Sequence, residues 1–398
     1  MELLEVLEPE DLPKKSTWYA LVPRGEAPSP RVGHACVYLP TKEASGKGKV
    51  LVIAGANPDG CFSDTHIVDL DSHEWDCSDW DGLLPRYEHA SFITNSDTSS
   101  IWVFGGAEQS TNRNCIQVLN PGSCTWKCPK VKGPTPSPRT FHTSSSAIGD
   151  KLYVFGGGEK GAEPVEDTRL HVYDSATTSW TQPETFGDSP SPRHGHIMVA
   201  VGTKLFIHGG MAGSTMLDDI FCIDTDTMKW EHVKVKGDVP PCSAAHSSVA
   251  WKSFIYIFGG MTEFGAVDDM YRFDTEIDQG GGLPDERRYP TLNCSGQRRS
   301  PQRYNRETYI WTKLKFDSPC PSARLDHSMC LLPWKIRSDF SKSEKSQTKP
   351  NERGGATDHS DGNCASKELD MVHLCLIFGG MNITGELYND CCVTLLQQ

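Results

Sequence analysis

Short, fully apolar runs recur along the chain between longer polar stretches, and they share one ending. Ile101-Trp-Val-Phe-Gly-Gly106, Leu152-Tyr-Val-Phe-Gly-Gly157, Leu205-Phe-Ile-His-Gly-Gly210, Ile255-Tyr-Ile-Phe-Gly-Gly260 and Leu374-Cys-Leu-Ile-Phe-Gly-Gly380 are five copies. A sixth, Val50-Leu-Val-Ile-Ala-Gly55, has Ala for the first Gly. A run of four to six apolar residues with no polar side predicts a strand buried on both faces. The glycine pair predicts a place where a side chain would block a turn or a close neighbour. The second glycines, Gly55, Gly106, Gly157, Gly210, Gly260 and Gly380, leave four of five gaps between 50 and 53 residues. The pattern is therefore an internal repeat.

Other positions keep the same phase. A histidine precedes each run: His34, His89, His142, His196, His246 and His327. An arginine stands three residues before five of them, at Arg31, Arg86, Arg139, Arg193 and Arg324, with Ser243 in that place in the fifth repeat. A tryptophan follows each of the first five runs, at Trp75, Trp126, Trp180, Trp230 and Trp311. Between the glycines and the tryptophan lies an alternating segment such as 167–174. Each period thus reads as four strands: one starting at the histidine, the apolar run, the alternating strand, and one carrying the tryptophan, which is large enough to fill the gap between neighbouring sheets. Four-stranded units of this length predict an all-β, six-bladed propeller filling 1–398 as one domain. The blades are expected at 31–80, 86–131, 139–185, 193–235, 243–316 and 324–396. The last has no tryptophan strand of its own. Residues 17–21, with Trp18, stand where a fourth strand belongs and are expected to pair with 387–396, closing the ring and removing its open edges.

Two segments break the period, at 276–309 in blade 5 and 334–370 in blade 6. Both are polar and rich in turn residues, and predict disordered loops leaving one face of the disc. The first holds six arginines against five acids and the second balances its charges. The net charge of -13 therefore belongs to the repeats, and disfavours nucleic acid and anionic lipid as general partners. No stretch approaches eighteen apolar residues. The acidic start, Met1-Glu-Leu-Leu-Glu5, does not resemble a secretory leader. Fifteen cysteines without a C-x-x-C pair read as reduced thiols of a cytosolic protein.

The arginines and histidines are the first candidates for chemistry. Superposed repeats would place them around the mouth of the central channel, opposite the two long loops. A ring of Arg31, Arg86, Arg139, Arg193 and Arg324, broken at Ser243, could grip an acidic partner segment through bidentate contacts. The other reading is that arginine and histidine bind carbonyls and aspartates within the disc, and recurrence in nearly every repeat favours it. Gly156-Gly-Gly-Glu-Lys-Gly161 fits a dinucleotide fingerprint only formally, because no helix can follow it comfortably. Ser-Pro-Arg triplets at Ser29, Ser137 and Ser191 read as turns into a strand. Catalytic propellers need a few unique converging ligands; here the histidines are distributed one per repeat. No enzyme activity, metal or cofactor is expected. A ubiquitin-ligase receptor is the alternative, though no recruitment module is visible.

These markers resemble the kelch-repeat family. Within it, Leu84-Pro-Arg-Tyr-Glu-His-Ala-Ser-Phe92, Ser137-Pro-Arg-Thr-Phe-His-Thr-Ser-Ser145, Lys204-Leu-Phe-Ile-His-Gly-Gly210 and Arg324-Leu-Asp-His-Ser-Met-Cys330 look like the kelch effectors of Rab GTPases. That resemblance implies a monomeric binding platform for a GTP-bound late-endosomal Rab, cytoplasmic and peripheral on endosome membranes. It further implies support of transport from endosomes to the trans-Golgi network and association with an endosomal phosphoinositide kinase.

Overall fold

The chain closes into a ring of six radial sheets in a computed structural model that describes residues 3–41, 43, 46–120, 122–140, 147–160, 163–278, 308–337 and 369–397. In blade 1 the antiparallel strands Ala35–Leu39, Lys49–Ile53, Thr65–Asp69 and Glu74–Cys77 follow one another outward from the channel. Blades 2 to 5 repeat that order. The apolar run is second in every blade, between two strands of its own sheet and between two neighbouring sheets, which is why it carries no polar position.

Blade 6 is built from both ends of the chain. Trp18–Leu21 pairs antiparallel with Cys391–Leu395, Trp18 opposite Thr394 and Leu21 opposite Cys391. The Thr394 hydroxyl donates to the Thr17 carbonyl at 2.9 Å across that seam. A further strand, Glu5–Val6, runs parallel to Trp18–Leu21 on the rim. Sequence periodicity did not reveal it, since two exposed residues leave no hydrophobic pattern. Similar parallel covers, Phe186–Gly187 and Val235–Gly237, lie on the outer strands of blades 4 and 5.

Most of the two inserts and His142 lie outside the described residues. Strands nonetheless extend into both inserts from either side. Met270–Asp278 pairs with Thr308–Lys313 in blade 5, and Ser328–Arg337 with Leu369–Phe378 in blade 6. Trp334, read from sequence as part of a disordered loop, is 1 % exposed. Its indole N–H donates to the Asp11 carbonyl at 3.3 Å, and the Lys47 ammonium sits 4.8 Å above its ring. The N-terminal segment that covers it also places Leu7 in the same core.

The tryptophans fill the gaps between sheets. Trp180 lies 4.8 Å from Phe104 of blade 2, Trp230 5.4 Å from Phe155 of blade 3, and Trp18 5.5 Å from Phe258 of blade 5. Trp75 meets Phe378 at 5.8 Å and Trp311 meets His208 at 5.2 Å, while Trp126 joins the blade 1 cluster around Ile53. Each therefore packs on the residue or cluster that ends the apolar run of the preceding blade. Such indoles bury large areas, and the edge-to-face contacts of Trp18 with Phe258 and Trp230 with Phe155 add to that gain.

Candidate functional site

All six junctions are stitched alike at the end of the disc where the glycine pairs lie. The N–H of the second glycine donates to the backbone carbonyl of the next blade's arginine position. These bonds are Gly55 to Arg86, Gly106 to Arg139, Gly157 to Arg193, Gly210 to Ser243, Gly260 to Arg324, and Gly380 back to Arg31, at 2.8–3.0 Å. The histidine then wedges between blades. A Cβ on Gly209, at φ 66, would stand 2.6 Å from the Ser243 carbonyl oxygen and 3.0 Å from His246 Cε1. One on Gly210 would stand 2.8 Å from His196 Cβ. Glycine is required here both for the backbone angle and for the space.

The arginine side chains face inward to the protein. Arg31, Arg86, Arg139, Arg193 and Arg324 are at most 1 % exposed. In each, Nη1 donates to the carbonyl of the first residue of its blade's glycine pair, from Ala54 for Arg31 to Gly379 for Arg324. Nε donates to the carbonyl two residues back. Aspartates take most of the remaining donors. Arg31 is bidentate to Asp64 at 2.7 and 2.9 Å, Arg324 to Asp390 at 2.7 and 2.9 Å, and Arg193 to Asp219 at 2.5 and 3.1 Å. Arg139 stands 3.7 Å from Asp167, and Arg86 uses Gln117 instead. Desolvation works against the charge of Asp64, yet hydrogen bonds from His66 and Arg31 hold its carboxyl down at about 2. The guanidiniums do not line the channel mouth, contrary to the expectation that superposed repeats raised. Their donors are spent instead on the preceding turn, the glycine pair and the aspartate or glutamine of their own blade. Ser243 keeps the backbone stitch, and Asp269, the aspartate left without an arginine, pairs with Lys313 at 2.8 Å.

The mouth itself is lined by the rest of the motif: His34, His89, His196, His246 and His327, with the residue just before each. These preceding residues, Gly33, Glu88, Gly195, Ala245 and Asp326, all have left-handed φ between 53° and 63°. Their amides form a belt around the opening: Glu88 N–H to Gly33 O at 2.6 Å, Gly33 to Asp326 at 3.1 Å, Asp326 to Ala245 at 3.0 Å, and Ala245 to Gly195 at 2.8 Å. Phe141, the sixth such position, lies outside the described residues. Below the mouth the channel turns apolar, with Val37, Phe92, Val199, Val249 and Leu331 around about 410 Å³.

Electrostatics single out two members of the belt. Burial raises the carboxyl of Asp326 to about 7. Burial, and then the charge of Asp326, raises that of Glu88 well above the usual range. The Thr140 hydroxyl of blade 3 donates to Glu88 Oε2 at 2.5 Å. Burial, then the nearby Arg31 charge, pushes His34 down to about 3, and its Nε2–H donates to the Phe378 carbonyl at 3.2 Å. Burial likewise lowers His246 and His327 well below 6.5. Sequence reading passed over Glu88 and Asp326 because it aligned only the constant positions of Arg-x-x-His. The signal lay in the variable one, which reads Gly, Glu, Phe, Gly, Ala and Asp through the six repeats.

No group of three His, Cys, Asp or Glu side chains among the described residues converges to hold a metal ion. Every cysteine among them is a free thiol. No helix among them is long and apolar enough to cross a membrane.

Six sheets with this stitching define a kelch-type propeller. The family model described as the KLHDC2/KLHL20/DRC7 Kelch-repeats domain matches residues 42–260 and 146–306, and the chain belongs to the kelch-repeat family. Full-length likeness goes further. The chain is 62 % identical over 397 residues to the Rab9 effector protein with kelch motifs of Xenopus laevis, covering 100 % of both. It is 53 % identical over 402 residues to the human protein of that name, and 45 % over 406 to that of Danio rerio, again covering 100 % of each chain.

Proposed function

We propose that this propeller is a non-enzymatic binding platform acting as an effector of a GTP-bound Rab GTPase. The observation that carries the reading is 62 % identity spread over the whole chain to a protein named for that role, rather than likeness confined to the repeats. The wider setting follows: a monomer held on late endosomes through its partners, supporting transport to the trans-Golgi network, with an endosomal phosphoinositide kinase as a further partner. In this reading the ring of Arg31, Arg86, Arg139, Arg193 and Arg324 serves the function by keeping the platform rigid. The contact surface is the hairpin tips on the same face. There Phe264 is 88 % and Ile383 60 % exposed, and a Cβ on Gly265 would stand 3.3 Å from Ile383. Large apolar side chains standing side by side in water favour a protein contact.

The test is a pull-down with Rab proteins loaded with GTP or GDP. Recovery with GTP is expected to exceed that with GDP about tenfold. Equal recovery would remove the effector reading. The Phe264→Ser/Ile383→Ser protein, expected to melt like the wild type, should lose most of the GTP-dependent recovery.

A further inference from the structure

The belt around the channel mouth holds two carboxyl groups, and among the described residues no cation is built in to meet them. Glu88 and Asp326 flank Gly33 from either side, each joined to it by a backbone hydrogen bond. Gly33 leaves room for the Glu88 side chain: a Cβ there would stand 3.0 Å from Glu88 Cγ and 2.9 Å from its backbone nitrogen. The recess has a volume of about 110 Å³, and no lysine or arginine among the described residues lines it. His34, His246 and His327 on its wall are held neutral by burial and cannot supply the charge.

A second, independent feature points into the same space. Ser247, the first residue of the inner strand of blade 5, lines the recess, is 5 % exposed, and its hydroxyl has no hydrogen-bond partner among the described residues. A buried hydroxyl without a partner is unusual and calls for one. The mouth therefore offers two buried carboxyl groups, which accept hydrogen bonds once ionised, and one hydroxyl unpartnered among the described residues, around a small polar chamber.

We propose that the channel mouth is a recognition pocket for a primary ammonium group, presented by a lysine side chain of a partner protein. An –NH₃⁺ is compact and carries three donors, one each for Glu88, Asp326 and Ser247. A divalent metal would need a converging set of ligands, which is absent among the described residues. A bound ammonium also favours ionisation of the two carboxyl groups, which burial disfavours, by pairing with both. The site lies inside the ring rather than on the hairpin tips, so it stands or falls apart from the Rab reading.

The test uses the full chain with a capped Gly-Gly-Lys-Gly-Gly peptide, its Nε-acetyl-lysine analogue and putrescine, at constant ionic strength. Binding is read by calorimetry and by the rise in melting temperature. The lysine peptide should bind saturably and the acetylated one should not. Stronger binding of putrescine would assign the ammonium to a free polyamine source. The Glu88→Gln/Asp326→Asn protein should fold at least as stably and lose affinity about tenfold or more. Ser247→Ala, which leaves the charge untouched, should weaken binding about threefold, as loss of one directed contact does. Equal binding of the acetylated peptide, undiminished binding by the double variant, no effect of Ser247→Ala, or no binding of either amine would each overturn the proposal.

Discussion

Two positions of one tetrapeptide, two residues apart, live under opposite rules. At the first, Arg31, Arg86, Arg139, Arg193 and Arg324 are buried with their donors taken up by carbonyls, aspartates and one glutamine. At the third, the backbone angle is constant but the side chain varies from nothing at Gly33 and Gly195 to a carboxylate at Glu88 and Asp326. The first position makes the ring, so the same interactions recur around it. The third faces the opening, where no contact repeated in every blade dictates what stands there. A repeat protein can thus keep its structure in the constant positions and its individuality in the variable ones.

The stitched side of this contrast should break most completely at the seam between the two ends of the chain. Deleting residues 1–22 removes the partner of Cys391–Leu395 along with Leu7, Trp18 and Leu21 from the core. Blade 6 is expected to unfold cooperatively, with a large fall in melting temperature. A truncated chain that melts like the full one would refute closure by the N-terminal strand.

A smaller break is Arg193→Ala, which strands the Asp219 carboxylate and the Gly209 carbonyl. Losing one partner of such a pair should cost about 3 kcal/mol in a urea titration. Arg193→Lys should restore little of it, because a point charge cannot replace a planar fork.

The third position should respond in the opposite direction. Glu88→Gly and Asp326→Gly remove left-handed strain and a carboxyl group whose charge burial disfavours, and each should stabilise the fold by about 1 kcal/mol at pH 7.5. Destabilisation by both would mean that the carboxylates are structural. The gain at Asp326 should depend on pH. Because its folded-state pKa is raised to about 7, the group favours the fold progressively more as pH falls from 7 towards 4. Asp326→Asn should therefore stabilise at pH 7.5 and lose that advantage near pH 4.5. The buried histidines act the other way. With His34 lowered to about 3 and His208 to about 4, stability is lost as pH falls below their unfolded value near 6.5. Wild-type melting temperatures between pH 7.5 and 4.5 should accordingly fall, and more steeply still in Asp326→Asn.

The architecture was legible because the apolar run, the glycine pair and the tryptophan answer to packing demands that recur in every blade. Periodicity even located Trp18 as a missing strand. It failed where a residue depends on a single neighbour. Trp334 looked like the start of a polar loop, yet the N-terminal segment near Asp11 covers it. The glycines at 25, 82, 133, 187 and 237 also went unread, although a Cβ on Gly237 would stand 2.2 Å from the Trp311 carbonyl oxygen. They follow the tryptophan of one blade but touch that of the next, a relation visible only once the blades stand side by side. The recurrence of the arginines favoured bonds within the disc over a grip on a partner, but it set them at the channel mouth, which they do not line. Ser243 showed that the stitch runs through the backbone, since it persists there without a guanidinium.

The seam in blade 6 also has a consequence for how the molecule comes into being. Thr17 and Thr394 bond to each other across 377 positions of the chain. During synthesis the first strand waits, its Trp18 without a neighbour, until Cys391–Leu395 has left the ribosome. Contacts this distant are slow to form. The circle is thus sealed last, and a nascent chain halted in its sixth sector would display an unpaired strand at each end, inviting chaperones or a second copy.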